Sequence, residues 1–160
     1  MKNERNKNKD FMDNLSAKCH KKEKNSKKSE YIAAIIVNII LLYIFNNLPN
    51  WHVYFITNVL NEILWVINIA ITAAILGNII LLVFNPEWFR RIIKIILNIF
   101  AITAVYSIYS IFPFNFNSFL IEWSVVIALI FIMIGIAVAT IIGLFFLIST
   151  ILAGFKLINE

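Results

Sequence analysis

Beyond Glu30 the chain carries only eight charged side chains in 130 residues, and apolar runs of membrane-crossing length lie between them. From Tyr31 to Leu48 it reads YIAAIIVNIILLYIFNNL, eighteen residues without a charge. At about 1.5 Å per residue such a helix covers most of a hydrocarbon core about 30 Å thick. A soluble domain could not clothe its surface with so few charges. In lipid every backbone N–H and C=O must pair within its own segment, so these runs are expected to be helices. Composition agrees: 61% of residues are apolar and 14% charged, against roughly 45–50% and 25% in soluble proteins. The expected fold class is all-α, a polytopic transmembrane helix bundle of about four spans, preceded by a disordered basic tail.

Punctuation between the runs sets the spans. NNLPNWHVYF supplies turn residues around Pro49, and a second apolar run covers about 60–84. In Asn85-Pro86-Glu87, Asn is a capping residue, Pro suits a first helical position and Glu complements the positive helix end. A third span is expected over about 92–112 with Pro113 closing it, and Asn117 or Ser118 is expected to cap a fourth over about 119–150. The last apolar stretch, Phe119 to Ile158, has only Glu122 and Lys156 charged and neither Pro nor an Asn-Gly turn signal near its middle. One long tilted helix is therefore expected rather than a broken pair. The chain thus divides into a tail, 1–30, and a four-helix transmembrane domain, 31–160.

The tail holds ten of the 14 Lys and Arg and five of the nine acids, and only Phe11, Met12 and Leu15 to bury. That is a disordered composition. Its charge makes anionic lipid at the inner membrane face the expected partner, and nucleic acid is not expected. The long polar stretch before the first apolar run, with no small-residue cleavage site after it, marks a retained span rather than a signal peptide. Basic residues accumulate on the cytoplasmic side. With four spans the tail, the Arg90-Arg91-Lys94 cluster and Lys156 all fall inside, and the loops 46–54 and 113–118 contain no Lys or Arg. A multi-pass protein of the cytoplasmic (plasma) membrane is expected, with both termini in the cytoplasm. Trp51, Trp123 and the phenylalanines of IFPFNFNSF would form an outer aromatic belt and Trp88 an inner one.

No catalytic, cofactor-binding or metal residue is assigned. Bond-breaking chemistry calls for a positioned base, nucleophile or metal. This chain has two His, one Cys and no Asp after Asp13, and no HExxH, GxSxG or GxxxxGK[ST] motif. Cys19 beside His20 is two ligands without a second pair. No cofactor is expected.

Four polar groupings remain. His52, Glu62 and Glu122 form a candidate outer cluster, since carboxylates near a membrane are costly unless paired, solvated or used. Asn38, Asn78 and Asn98 fall at a similar depth from the cytoplasmic boundary and form a candidate layer, which Ser149 and Thr150 would extend. Arg90, Arg91 and Lys94 are candidate anionic-lipid contacts, with Glu87 three and four residues before the two arginines in favourable helical pairings. Finally, Asn58, Asn61, Glu62, Trp65, Asn68 and Thr72 share one face of the second helix. Lipid would reject that stripe, so it is expected to face other helices or a crevice. Gly135, Ala139 and Gly143, with Ala70/Ala74 and Ala73/Gly77, repeat at four-residue spacing. They are expected to pack the second helix on the fourth or to serve dimerisation.

Together NNLPNWHVYF, NEILWVIN, NPEWFRR and IFPFNF resemble small four-span membrane proteins of bacteria and archaea with no assigned function. The resemblance covers about residues 31 to 150; it implies the architecture and no activity. The function expected first is a non-enzymatic interaction, accessory or assembly protein, bound to a protein partner or a second copy of itself. The alternative is a small oligomeric transporter or channel using the polar faces of helices one to three. A lipid-directed membrane enzyme using Glu62, Glu122 and His52 comes third.

Overall fold

The computed structural model describes residues 28–51 and 53–158, the last six of these by their backbone. The tail expected over 1–30 falls mostly outside them, as do Cys19, His20 and His52. Four helices are each long and apolar enough to cross a membrane. They are α1 (28–47), continued by a 3-10 turn Leu48–Trp51, α2 Leu60–Val83, α3 Glu87–Ile111 and α4 Phe119–Ile158.

α1 begins three residues before the first apolar run, and α3 five residues before the third. Backbone pairing carries a helix past the last apolar residue into the headgroup region, where polar side chains are solvated. α4 is a single helix of 40 residues, about 60 Å long, as the absence of a breaker implies. Its start is defined by Ser118, whose carbonyl accepts from the N–H groups of Ile121 (3.1 Å) and Glu122 (3.2 Å). The α3 start differs from expectation. Pro86 occupies the cap position and makes no side-chain cap, while the Asn85 Oδ1 accepts a hydrogen bond from the Tyr31 hydroxyl at 3.2 Å. Asn85 thereby ties α1 to the α2–α3 turn instead of capping α3.

The core belongs to one face of α2. Leu60, Ile63, Ile67 and Ile71 are buried as a cluster, at helical spacing, with Leu41, Leu42 and Phe45 of α1 and Ile108 of α3 packed on it. Farther along, Leu81 is buried, and a Cβ on Gly77 would meet the δ-carbons of Leu97 in α3 at 3.0 Å. α3 packs against both α2 and α4. Gly143 of α4 faces Ile95 of α3, and Gly135 faces open space. The small residues therefore do not bring α2 onto α4. Long aliphatic side chains of α3 fill the hollows opposite Gly77 and Gly143, so α3 lies between the two helices.

At the end opposite Arg90, the two loops are stitched together. Ile56 and Phe114 form an antiparallel bridge, with Thr57 N–H donating to the Pro113 carbonyl (3.0 Å) and Asn115 N–H to that of Phe55 (2.8 Å). Phe116 stacks on Phe55 (centroids 5.4 Å apart) and on Phe114 (5.8 Å). Pro113 is fully buried beneath them. Phe112 ends α3 with φ 44° and ψ 75°, a left-handed conformation that bulky residues rarely adopt. Its N–H reaches the Ile108 carbonyl at 2.9 Å and its ring meets Phe114 edge-on at 5.6 Å. Of the phenylalanines expected as a membrane belt, Phe112, Phe114 and Phe116 contact one another, while Phe119 is exposed beside Trp123.

Candidate functional site

The cavity with the most chemistry lies where α2, α3 and α4 meet near the α3 start. About 430 Å³ is lined by Asn78 and Leu81 of α2, Arg91, Lys94 and Asn98 of α3, and Ala139 and Gly143 of α4, among others. Its shape follows from the fold: α2 and α4 both pack on α3, and a gap is left over the middle helix. Ala139 and Gly143 line it from α4.

Arg91 is held from two sides and has one donor left over. An Nη donates to Glu87 Oε1 at 2.9 Å, the guanidinium lies 5.0 Å from the centroid of the Phe146 ring on α4, and the Nε is buried without a hydrogen-bond partner among the described residues. A buried N–H left unpaired costs about 1–3 kcal/mol. Arg90 shares the same carboxylate at 3.6 Å. Both pairings were expected from helical spacing. Lys94 is exposed and, among the described residues, no carboxylate pairs with it. A second cavity of about 300 Å³, lined by Glu30, Tyr31, Arg90, Arg91 and Lys94, adjoins the first. Across the two linings stand three cations and one carboxylate, Glu30, and the larger cavity is lined by two cations and no acid.

The expected asparagine layer divides. Asn78 and Asn98 line the same cavity. The Asn78 amide donates to the Ala74 carbonyl at 2.7 Å, and the Asn98 amide donates across to Thr140 Oγ1 on α4 at 3.1 Å. Thr140 in turn donates to the Ile136 carbonyl at 2.7 Å. Asn38 donates to Ala34 of its own helix at 2.8 Å and is not among the cavity residues. Thr150 likewise turns back on its own helix, to Phe146 at 2.8 Å, and Ser149 is exposed. Thr140 and Phe146 escaped the sequence reading. Their signal was faint: Thr140 interrupts an apolar run, and Phe146 is one of 14 phenylalanines.

The polar stripe of α2 also divides. Asn68 exchanges two amide hydrogen bonds with Asn46 of α1, each 2.9 Å long, as interhelical bonding predicts. Asn61, Glu62, Trp65 and Thr72 instead lie on the outer surface of the bundle, with Trp65 64% exposed. They do not face another helix or a crevice, because the buried face of α2 is the wholly aliphatic one. Thr103, Ser107, Ser124, Thr140 and Thr150 each bond a carbonyl four residues back. The Thr72 hydroxyl has no partner among the described residues.

At the stitched end Glu62 is exposed and Glu122 half-buried, and no hydrogen bond or ion pair joins them among the described residues. A cavity of about 250 Å³ there is lined by Leu48, Pro49, Val53, Tyr54, Ile56, Thr57 and Asn58, without either glutamate. Among the described residues, no three His, Cys, Asp or Glu are grouped to hold a metal ion. Compared with known protein families, curated proteins and solved structures, the chain matches none.

Proposed function

We propose that this chain is a multi-pass protein of the cytoplasmic membrane, both termini in the cytoplasm, that works without catalysis as an accessory or assembly partner of another membrane protein. The outward stripe of α2 carries this reading. Trp65 and Thr72 lie five and twelve residues into the helix, about 8 and 18 Å along it. Asn61 and Glu62, in the first turn, reach headgroup water, but an unpartnered hydroxyl near mid-span does not. Against hydrocarbon such a group is satisfied by a second helix, and interhelical hydrogen bonds contribute about 0.6–2 kcal/mol each. The orientation rests on the basic residues, with Arg90, Arg91 and Lys94 placed among anionic lipid at the inner face.

A photo-crosslinker placed at position 65 or 72 in native membranes, followed by mass spectrometry, tests the reading. A defined protein adduct at both positions, absent from position 131 on the exposed face of α4, is the expected result. Lipid adducts alone at 65 and 72 would refute it, and self-adducts alone would replace the heterologous partner with a second copy.

A further inference from the structure

We propose that the cavity between α2, α3 and α4 is a binding site for one diacyl phospholipid of net negative charge, with the phosphate on Arg91 and Lys94 and the glycerol ester carbonyls on the amides of Asn98 and Asn78. Four observations converge. The volume of about 430 Å³ falls within the roughly 300–1,000 Å³ of small-molecule sites. Its charged lining is two cations with no carboxylate, and the Arg91 Nε is buried without a partner among the described residues, so the guanidinium's donors are not all satisfied by Glu87. Lys94 adds an ammonium that no described carboxylate neutralises.

The polar groups are also graded in depth. Asn98 follows Lys94 by one helical turn, about 6 Å farther from the α3 start. Each asparagine amide spends one N–H on the protein, to Thr140 or Ala74, and keeps a second to donate. A phosphate alone would satisfy the two cations and leave those amides idle. In a phospholipid the ester carbonyls sit a few bonds below the phosphate, toward the chains, and Leu81, Ile95 and Leu97 supply apolar wall beside them. The gap between α2 and α4 gives the acyl chains a way out to the bilayer. Phe146 and Glu87 hold the guanidinium at the rim, so the site is formed before the ligand arrives.

The inference rests on the inner-face orientation only for the leaflet that supplies the lipid. The purified full chain in detergent tests the cavity whatever the orientation, and tag accessibility in intact cells tests the orientation whatever the cavity does. Native mass spectrometry of the chain with added phosphatidylglycerol is expected to show one retained lipid, weakened about tenfold by Lys94→Gln or Arg91→Gln, each of which removes a charge-assisted contact. Asn98→Leu should weaken it several-fold. Arg90→Gln, outside this cavity, should weaken it less than Lys94→Gln does. Lys94 is exposed, so its variant keeps the helix packing even where Arg91→Gln does not fold. Retention unchanged in Lys94→Gln would overturn the proposal, as would equal losses from Arg90→Gln and Lys94→Gln. Thermal stabilisation by inorganic phosphate with no lipid retained would assign the cations to a free anion and overturn it too.

Discussion

The Asn46–Asn68 pair offers a direct measure of how α1 is held to α2. Each amide donates to the other's Oδ1 at 2.9 Å, and Asn46 also donates to the Leu42 carbonyl at 2.7 Å. Asn68 lies eight residues into α2, about 12 Å along the helix and beyond easy reach of interfacial water. Interhelical hydrogen bonds in membranes average about 0.6 kcal/mol and reach about 1.7. Two of them predict a coupling of about 1.2 kcal/mol, with an upper bound of about 3.4. Asn68→Leu removes both bonds and strands the Asn46 Oδ1, while the Asn46 amide keeps its bond to Leu42. Each single variant should therefore lose about 1–2 kcal/mol, as an orphaned polar group does. The double variant, which strands nothing, should lose less than the two single losses together, by that coupling. Equilibrium unfolding in bicelles, run as a double-mutant cycle, reads the coupling. Losses that simply add, with a coupling below about 0.3 kcal/mol, would refute this account of the α1–α2 contact.

Two further outcomes test the packing. Gly77→Ala would place a Cβ 3.0 Å from both δ-carbons of Leu97, whereas Gly143 has Ile95 at 3.4 Å and Gly135 nothing within 4 Å; overpacking costs about 1–3 kcal/mol and alanine's better helix propensity returns about 0.5–1. Unfolding midpoints should therefore fall for Gly77→Ala and hold or rise for Gly143→Ala and Gly135→Ala, and equal shifts at all three would contradict the packing on α3. Phe116→Ala removes two stacked partners at about 0.5–1.5 kcal/mol each, so its midpoint should fall further than that of Phe119→Ala, which is 70% exposed and whose one ring partner among the described residues is Trp123.

The spans were legible because membrane crossing leaves a one-dimensional record: run length, charge placement, and breakers such as Pro86 and Pro113. The continuity of α4 was legible for the same reason. Which helices touch is not written that way. Small residues at four-residue spacing permit a close approach without naming the partner, and here the partner of Gly77 and Gly143 is fixed by Leu97 and Ile95, two aliphatics among many. The loop stitching was hidden because Ile56 and Phe114 pair across 58 residues, and no local signal marks backbone groups that will meet at such separation. For the candidate site, Arg91, Lys94, Asn78 and Asn98 were each visible as polar interruptions. Their convergence was not, and estimating depth from span boundaries also grouped Asn38, which is not among the cavity residues. Asn85 misled in a similar way: it has the chemistry of a cap, but Tyr31 competes for the same oxygen.

The cavity and the attachment of α4 depend on the same few contacts. None of the described α4 side chains is fully buried. Its specific ties to the bundle are Asn98 to Thr140, Arg91 to Phe146 and Gly143 against Ile95, all bordering the gap over α3. A ligand filling that gap would touch α2, α3 and α4 at once, so its occupancy and the docking of α4 should rise and fall together. Thr140→Val separates this coupling from direct contact, because Thr140 is not among the cavity residues, yet its loss frees the Asn98 amide and weakens the α3–α4 tie by about 0.6 kcal/mol, at most about 1.7. If α4 docking and lipid retention are linked, Thr140→Val should lower phosphatidylglycerol retention, by up to about threefold for a loss of about 0.6 kcal/mol, since a population shift is limited to the free energy that drives it. A variant that loses that stability while retaining lipid as the wild type does would show that the cavity forms without a docked α4, and the coupling would be refuted.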